Sequence, residues 1–437
     1  MGVCVIRIYY KYIFLLCFIN FIPNQTLAAN FNAVKLEAGI NGPELNQYVY
    51  YIKNYSGLIS NDTLIDNFDQ FQKVETPTIN FGIPDGKILV VLKVENSGID
   101  EGSWILTTGR GSLKFFQMFE VTEQSTELLI DGTDLEQVQE NLNNYQAFST
   151  ELSIAPGQQK LFAFIFEPEN SSFFPLQIDT FSSFFKARRA NIAMVSGVVL
   201  GILMLTFINA IVFLVTAKKE FMWLLLADIS FILMTLHTEG YTTIYWLYDM
   251  PLLSLSIGDI FKCLFAITMA QFARSFIDTK RHFPKMNIAL LSIIIFGLSV
   301  IILEAGVPIY SESIKQLLHA SGWLVTASVA LFLPFVGIYA TRSLGMQYFP
   351  LVISWSSLAL YILYAGFVTT GIVEGLPFNW HWVAPVGLFE AFFASLALGL
   401  HLRKILKDRV VAEQNLSKSL QEQLTLNLYP VRPSWTN

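Results

Sequence analysis

Seven long apolar runs fill the C-terminal half of the chain, beginning near Asn191 and ending near Leu402. A stretch of about 20 apolar residues crosses a bilayer core as a helix, because a helix satisfies its own backbone polar groups where no water can. The runs fall at roughly 191–216, 221–238, 252–273, 286–306, 314–340, 348–373 and 382–402. Seven spans in series fix the class as a multi-domain membrane protein. The chain is 53% hydrophobic and 14% charged, with a mean hydropathy of +0.48, as expected when half of it lies in lipid. An acidic region precedes the spans and a short charged tail follows them.

The N-terminus reads as a signal peptide over 1–29. Arg7 and Lys11 supply its positive region, Ile13 to Ile22 the apolar stretch, and Leu27-Ala28-Ala29 a small-residue cleavage site. Cys4 and Cys17 lie inside it, which leaves Cys263 alone in the mature chain, with no intrachain disulfide and no cysteine metal site. Export places the following segment outside the cytoplasm, and loop charge agrees. Lys218 and Lys219, then Arg274, Lys280, Arg281 and Lys285, then Arg342, then Arg403, Lys404, Lys407 and Arg409 all fall inside. The outer loops carry Glu239, Asp249, Glu304, Glu312 and Glu374, with Lys315 as their one base. Lys186, Arg188 and Arg189 lie just outside the first span and read as headgroup or docking contacts. The layout predicted is an exported N-terminal domain, seven spans and a cytoplasmic C-terminus, which in a bacterium means a periplasmic domain on an inner-membrane protein.

Residues 30–185 hold 21 acidic and 8 basic residues, a net of −13. That field argues against nucleic acid and anionic lipid as partners of this segment and permits a cation or basic ligand. Its patterning is mostly period two with turn signals between runs, which predicts an exported antiparallel β-sandwich. Lys87 to Glu95, Trp104 to Thr107 and Leu161 to Phe166 read as strands, and only Thr133 to Asn143 looks helical or loop-like. A sugar site needs an exposed aromatic ring. Trp104, the segment's one tryptophan, lies in an apolar strand and reads as core. Phe115 and Phe116 are adjacent, so one faces out and is a candidate contact. Asp131 and Asp134 are candidate Ca²⁺ ligands through their oxygens, against a plain turn. These four are weak ligand-binding candidates.

Ionisable groups inside lipid are costly and are functional candidates by default. Asp228 lies near the middle of the second span, Asp259 and Lys262 one turn apart in the third, and Glu390 about 12 Å into the last. They form a candidate intramembrane polar network, either a fixed brace or a charge switch. Lys262 pairs locally with Asp259, or bridges to Glu390 or Asp228. His237, His319 and His401 lie near span ends and read as interfacial. The last span has no lysine for a retinal Schiff base. No metal cluster, phosphate loop, nucleophile elbow or other cofactor motif is found, so no catalytic residue and no cofactor are assigned. Pro334 and Pro350 interrupt spans without the repeat expected of a transporter.

Arg403 to Asp408 continue the last span as a charged helix, and Leu406, Val410, Leu416, Leu420 and Leu424 make an apolar stripe. This suits a short coiled coil, hence a homodimer, or a solvated amphipathic helix over 403–428. Pro430 and Pro433 end it, and 429–437 read as disordered.

The chain resembles a bacterial family, the seven-transmembrane receptors with diverse intracellular signalling modules. Gly197, Gly201 and Asn209 match its first span. Phe272-Ala273-Arg274-Ser275-Phe276-Ile277-Asp278-Thr279 matches the stretch after the third. Gly387-Leu388-Phe389-Glu390, Ser395-Leu396-Ala397 and Arg403 match the last. Asn80-Phe81-Gly82, the strand ending at Asn96 and Pro156-Gly157 resemble its second type of extracellular domain. The resemblance implies a jelly-roll sensory domain over 30–185, a seven-helix domain over 186–402, and a cytoplasmic output, commonly a histidine kinase or diguanylate cyclase. The strand ending at Asn96 lacks the tryptophan usual in its first half, which weakens sugar recognition. The chain also stops where an output domain would begin, so it either signals in trans to a kinase or cyclase or is a truncated product. The competing readings are a transporter or channel with an exported accessory domain, and a module that binds another envelope protein.

Overall fold

The structure, a computed structural model, describes residues 31–76, 79–81, 86–111, 113, 115–167, 173–247, 250–306, 310, 312–369, 373 and 379–428. The signal peptide with Cys4 and Cys17, Gly82, Asp249, Glu374 and the segment 429–437 lie outside the described residues. The chain divides into two compact units, with one boundary between Phe185 and Lys186.

The first unit is built from two β-sheets. Its strands are β1 (Ala33–Leu36), β2 (Val49–Lys53), β3 (Gln72–Lys73), β4 (Ile88–Asn96), β5 (Gly102–Thr107), β6 (Phe115–Val121), β7 (Thr126–Asp131), β8 (Ser149–Ile154), β9 (Gln159–Glu167) and β10 (Gln177–Asp179). The larger sheet runs β3-β2-β4-β9-β6-β7, and the smaller runs β10-β5-β8. β4 organises the larger sheet. One edge pairs with β9, from Ile88 opposite Phe166 to Glu95 opposite Gln159. The other edge is shared, its first half antiparallel to β2 and its last residues parallel to β1. This parallel pair departs from the purely antiparallel expectation. It arises because β2 uses only the Ile88–Leu92 half of that edge, and the free donors and acceptors of Lys93 to Asn96 need another partner.

Period two explains the two cores. Ile88, Val90, Leu92 and Val94 of β4 and Phe162, Phe164 and Phe166 of β9 face inward, onto Trp104, Leu106, Leu152, Ile154 and Ile178 of the smaller sheet. The alternate residues Leu89, Val91, Leu161, Ala163 and Ile165 form a second cluster with Phe31, Tyr50 and Leu64. Leu64 comes from the short helix α1 (Asn61–Asp66), which opens on a capping box between Ser60 and Thr63. Burial of both faces is why β4 and β9 read as continuous apolar runs rather than alternating ones. Trp104 is fully buried, and its indole N–H donates to the carbonyl of Ile40 at 2.9 Å. Helix α2 (Leu135–Tyr145) follows the capping residue Asp134.

The second unit begins within the first turns of the first of seven spans and contains the other six whole. The spans are α3 (Phe181–Thr216), α4 (Lys219–Thr238), α6 (Pro251–Ile277), α8 (Pro284–Glu304), α9 (Glu312–Leu344), α10 (Phe349–Thr369) and α11 (Val383–Leu428), with short helices α5 (Tyr241–Tyr245) and α7 (Thr279–His282) in the connections. All seven are long and apolar enough to cross a membrane. Helices α4, α6, α9, α10 and α11 pack in a closed ring, with α8 against α6 and α9. Small residues admit close approach, as is usual between helices in lipid. A methyl group on Gly387 would collide with the ring of Phe231, and Gly201 lies against Leu388. Pro334 is inside α9, whereas Pro350 falls in the first turn of α10, where the missing N–H costs nothing.

Candidate functional site: two polar clusters in the helix bundle

The first cluster lies where α3, α4, α10 and α11 meet. Asp228 of α4 is 2% exposed and Glu390 of α11 is 2% exposed. The two helices run antiparallel, so the contact of Phe231 with Gly387 sets Asp228 and Glu390 level one turn further along. The Thr206 hydroxyl donates to Asp228 Oδ2 at 3.2 Å. The Ser354 hydroxyl lies 3.0 Å from Glu390 Oε1 and 3.2 Å from the Glu390 carbonyl. The Asn209 amide donates to Ser395 Oγ at 3.0 Å. Asp228 Oδ1 is buried with no hydrogen-bond partner. Among the described residues no basic side chain forms an ion pair with either carboxylate.

The second cluster is built on α6. Lys262 Nζ lies 2.8 Å from Asp259 Oδ1 and 4.8 Å over the ring of Trp323. Asp259 Oδ2 meets His319 Nδ1 of α9 at 2.5 Å. Gly322, one turn from His319, leaves room for the Asp259 carboxyl beside it. Glu304, at the end of α8, is 3% exposed, and its Oε1 has no hydrogen-bond partner. Asp259 has its charge matched locally by Lys262, as a buried pair must if it is not to leave an uncompensated ion, whereas no ion pair is made by Glu304 among the described residues.

The structure therefore splits the four expected residues into two pairs. Lys262 does not bridge to Glu390 or Asp228, because Asp259 stands one turn away on the same face and takes it. His319 binds Asp259 inside the bundle, His237 Nδ1 lies 2.7 Å from the Thr242 hydroxyl, and His401 packs against the rings of Phe276 and Tyr348. Sequence reading missed Thr206, Ser354, Ser395, Trp323 and Glu304 as members. Hydroxyl side chains are common in such spans, so only their register against a carboxylate on another helix marks them. A further pair, His381 Nδ1 with Glu239 Oε2 at 2.7 Å, joins the start of α11 to the end of α4.

In the sandwich, Phe116 is buried and stacks on Phe148 with ring centroids 4.5 Å apart, so it offers no face to a ligand. Phe115 points to the other side of the sheet, with Lys87 Nζ 3.7 Å above its ring. Asp131 Oδ1 accepts from the backbone N–H and hydroxyl of Thr133 and from the Gln117 amide. Burial raises the Asp131 carboxyl, but these donors outweigh it and leave it below its ordinary value. Asp134 accepts from the N–H groups of Glu136 and Gln137 and caps α2. Turn and cap account for both aspartates. Among the described residues no group of three His, Cys, Asp or Glu side chains gathers as a metal site.

A buried-core sandwich followed by seven helices long and apolar enough to cross a membrane defines a multi-pass membrane protein. Residues 192–401 match the family described as 7TM diverse intracellular signalling, and residues 46–180 match the family described as 7TMR-DISM extracellular 2. The chain belongs to this family of seven-transmembrane receptors and carries its second type of extracellular domain. No curated protein matches it closely.

Proposed function

We propose that the chain is a bacterial inner-membrane receptor whose periplasmic sandwich senses a ligand and whose bundle relays the change to a cytoplasmic output. One observation carries this reading. Helix α11 runs without interruption from Val383 to Leu428, so one rigid rod of 46 residues holds Glu390 in the bundle and the tail stripe beyond it. Leu406, Val410, Leu416, Leu420 and Leu424 are all more than half exposed along that tail. A helix resists bending over such lengths, so a shift at the Glu390 level is transmitted to the stripe. Dimerisation along the stripe would turn that shift into a change of tail spacing, readable by a kinase or cyclase acting in trans. The loop charges support a cytoplasmic tail. The net charge of −13 in the sandwich segment favours a cationic or basic ligand over an anionic one.

The test uses single cysteines in a Cys263→Ser chain in native membranes. Thr180→Cys should label from the periplasmic side, and Lys418→Cys only after permeabilisation. Leu416→Cys should crosslink between copies, with a yield that changes when Asp228→Asn is added. Tails that never crosslink, or that crosslink identically in both backgrounds, would remove the relay. Substrate flux in proteoliposomes would instead favour the transporter reading.

A further inference from the structure

We infer that the Asp228–Glu390 cluster is a binding site for a small monovalent metal cation of the Na⁺ kind. Two carboxyl groups sit deep among four helices, and among the described residues no lysine, arginine or histidine pairs with either one. Leaving two such groups anionic and uncompensated is prohibitively costly in a medium that cannot solvate them. Asp228 supplies the independent sign of a missing partner. It is 98% removed from solvent, with Oδ2 satisfied by Thr206 and Oδ1 by nothing. The Thr206 hydroxyl contacts Asp228, the Ser354 hydroxyl contacts Glu390 and the Asn209 amide contacts the Ser395 hydroxyl, so the polar groups bonded within the cluster are hydroxyl and carboxyl oxygens with one amide. Oxygen sets of this kind select hard cations and disfavour zinc, copper and other metals that want nitrogen or sulfur.

Charge and dehydration choose among the hard cations. Calcium takes six to eight oxygens and usually several carboxylates, and the cluster has two carboxylates on two helices. Magnesium keeps most of its water and needs a roomier, wetter site. A monovalent ion is far cheaper to dehydrate, since the solvation cost grows with the square of the charge. One Na⁺ bound between the carboxylates leaves one negative charge, which a proton on the second carboxyl neutralises. The contrast with the Asp259 cluster is instructive. There the equally buried Asp259 carboxylate has both oxygens occupied, one by Lys262 and one by His319. The two sites solve the same electrostatic problem, one with side chains of the chain and the other with an ion from solution. The site is independent of what the tail signals to, and it joins α3, α4, α10 and α11, so occupancy would fix their mutual packing.

The experiment is thermal unfolding of the purified full chain in lipid nanodiscs, with NaCl replaced stepwise by choline chloride at constant ionic strength and pH. Tm should rise saturably with Na⁺ by a few degrees, with K⁺ less effective. The Asp228→Asn chain should lose the Na⁺-dependent part. Because that variant removes a buried group, Ser395→Ala provides a milder change that should shift the Na⁺ midpoint to higher concentration. Binding of radiolabelled Na⁺ to the parent chain, displaced by unlabelled Na⁺, gives a readout that does not involve unfolding. Equal Tm in NaCl and choline chloride, or no displaceable label on the folded parent, would overturn the site. So would a Na⁺ response that survives unchanged in both variants.

Discussion

Single residues in the sandwich report its packing and its titration separately. A Cβ on Gly102 would run into the Trp104 ring, which itself is fixed by its bond to the Ile40 carbonyl. Gly102→Ala should therefore destabilise the isolated sandwich by about 1–3 kcal/mol, as overpacking usually does, seen as a lower urea midpoint at unchanged m-value. Asp131 gives a signed pH effect. Its carboxyl is lowered in the folded state, so its contribution is present above the unfolded carboxylate value and is lost as pH falls through the folded one. Asp131→Asn should lower stability at neutral pH and flatten the loss on acidification. Asp179 behaves oppositely. Burial raises it, so ionisation opposes folding and Asp179→Asn should gain stability at neutral pH. Tyr145 is pushed up to about 12 by burial and then by its bond to Glu151. Its contribution is complete below the unfolded tyrosine value and disappears as pH rises through about 12. A pH titration of the Tyr145→Phe fragment that matched the parent throughout the alkaline limb would refute this.

At the scale of elements, legibility followed the strength of the local signal. The spans were readable because the bilayer demands length and apolarity together. The strand at Ile88 to Asn96 was readable because both its faces are buried, whereas Thr133 to Asn143 reads equally as helix or loop and only the structure shows helix α2 with Asp134 as its cap. Removing that cap with Asp134→Ala should cost the sandwich about 1 kcal/mol, measurable as a small drop in Tm. The pairing of Lys262 was not readable between alternatives, since three carboxylates lay within plausible reach and only the packing of α6 chooses. The parallel placement of β1 was also hidden, because strand pairing is a nonlocal choice that no four-residue window encodes. Helix α11 carries the sharpest prediction at this scale. Glycines at Ile405 and Leu406 weaken a helix by about 1 kcal/mol each. They should abolish any dependence of Leu416→Cys crosslinking on the bundle while leaving folding of the chain unchanged.

For the whole molecule, the division into two units predicts separable behaviour. A fragment spanning 31–185 should fold alone into a soluble, β-rich domain, because both its hydrophobic clusters close within those residues. A disordered circular-dichroism spectrum would refute that boundary. The candidate site was half visible beforehand. Buried charges announce themselves in an apolar span, which is why Asp228, Asp259, Lys262 and Glu390 stood out. Their grouping into the ion-paired Asp259 and Lys262 and the unpaired Asp228 and Glu390 depends on which helix faces which, and here that is fixed by contacts such as Phe231 on Gly387 rather than by periodicity.

The pairing of β4 with β9 also has a consequence for how the chain is made. The run Ile88 to Leu92 is translated and exported well before its partner Gln159 to Glu167, and until then it presents an uncharged, β-prone edge to its surroundings. Helix α3 begins at Phe181, shortly after β9 ends. The strand that closes the sandwich and the first span thus leave the ribosome almost together. Biogenesis should show a vulnerable interval that closes only as the first span engages the membrane, during which chaperones or proteases on the domain's side of the membrane decide the yield.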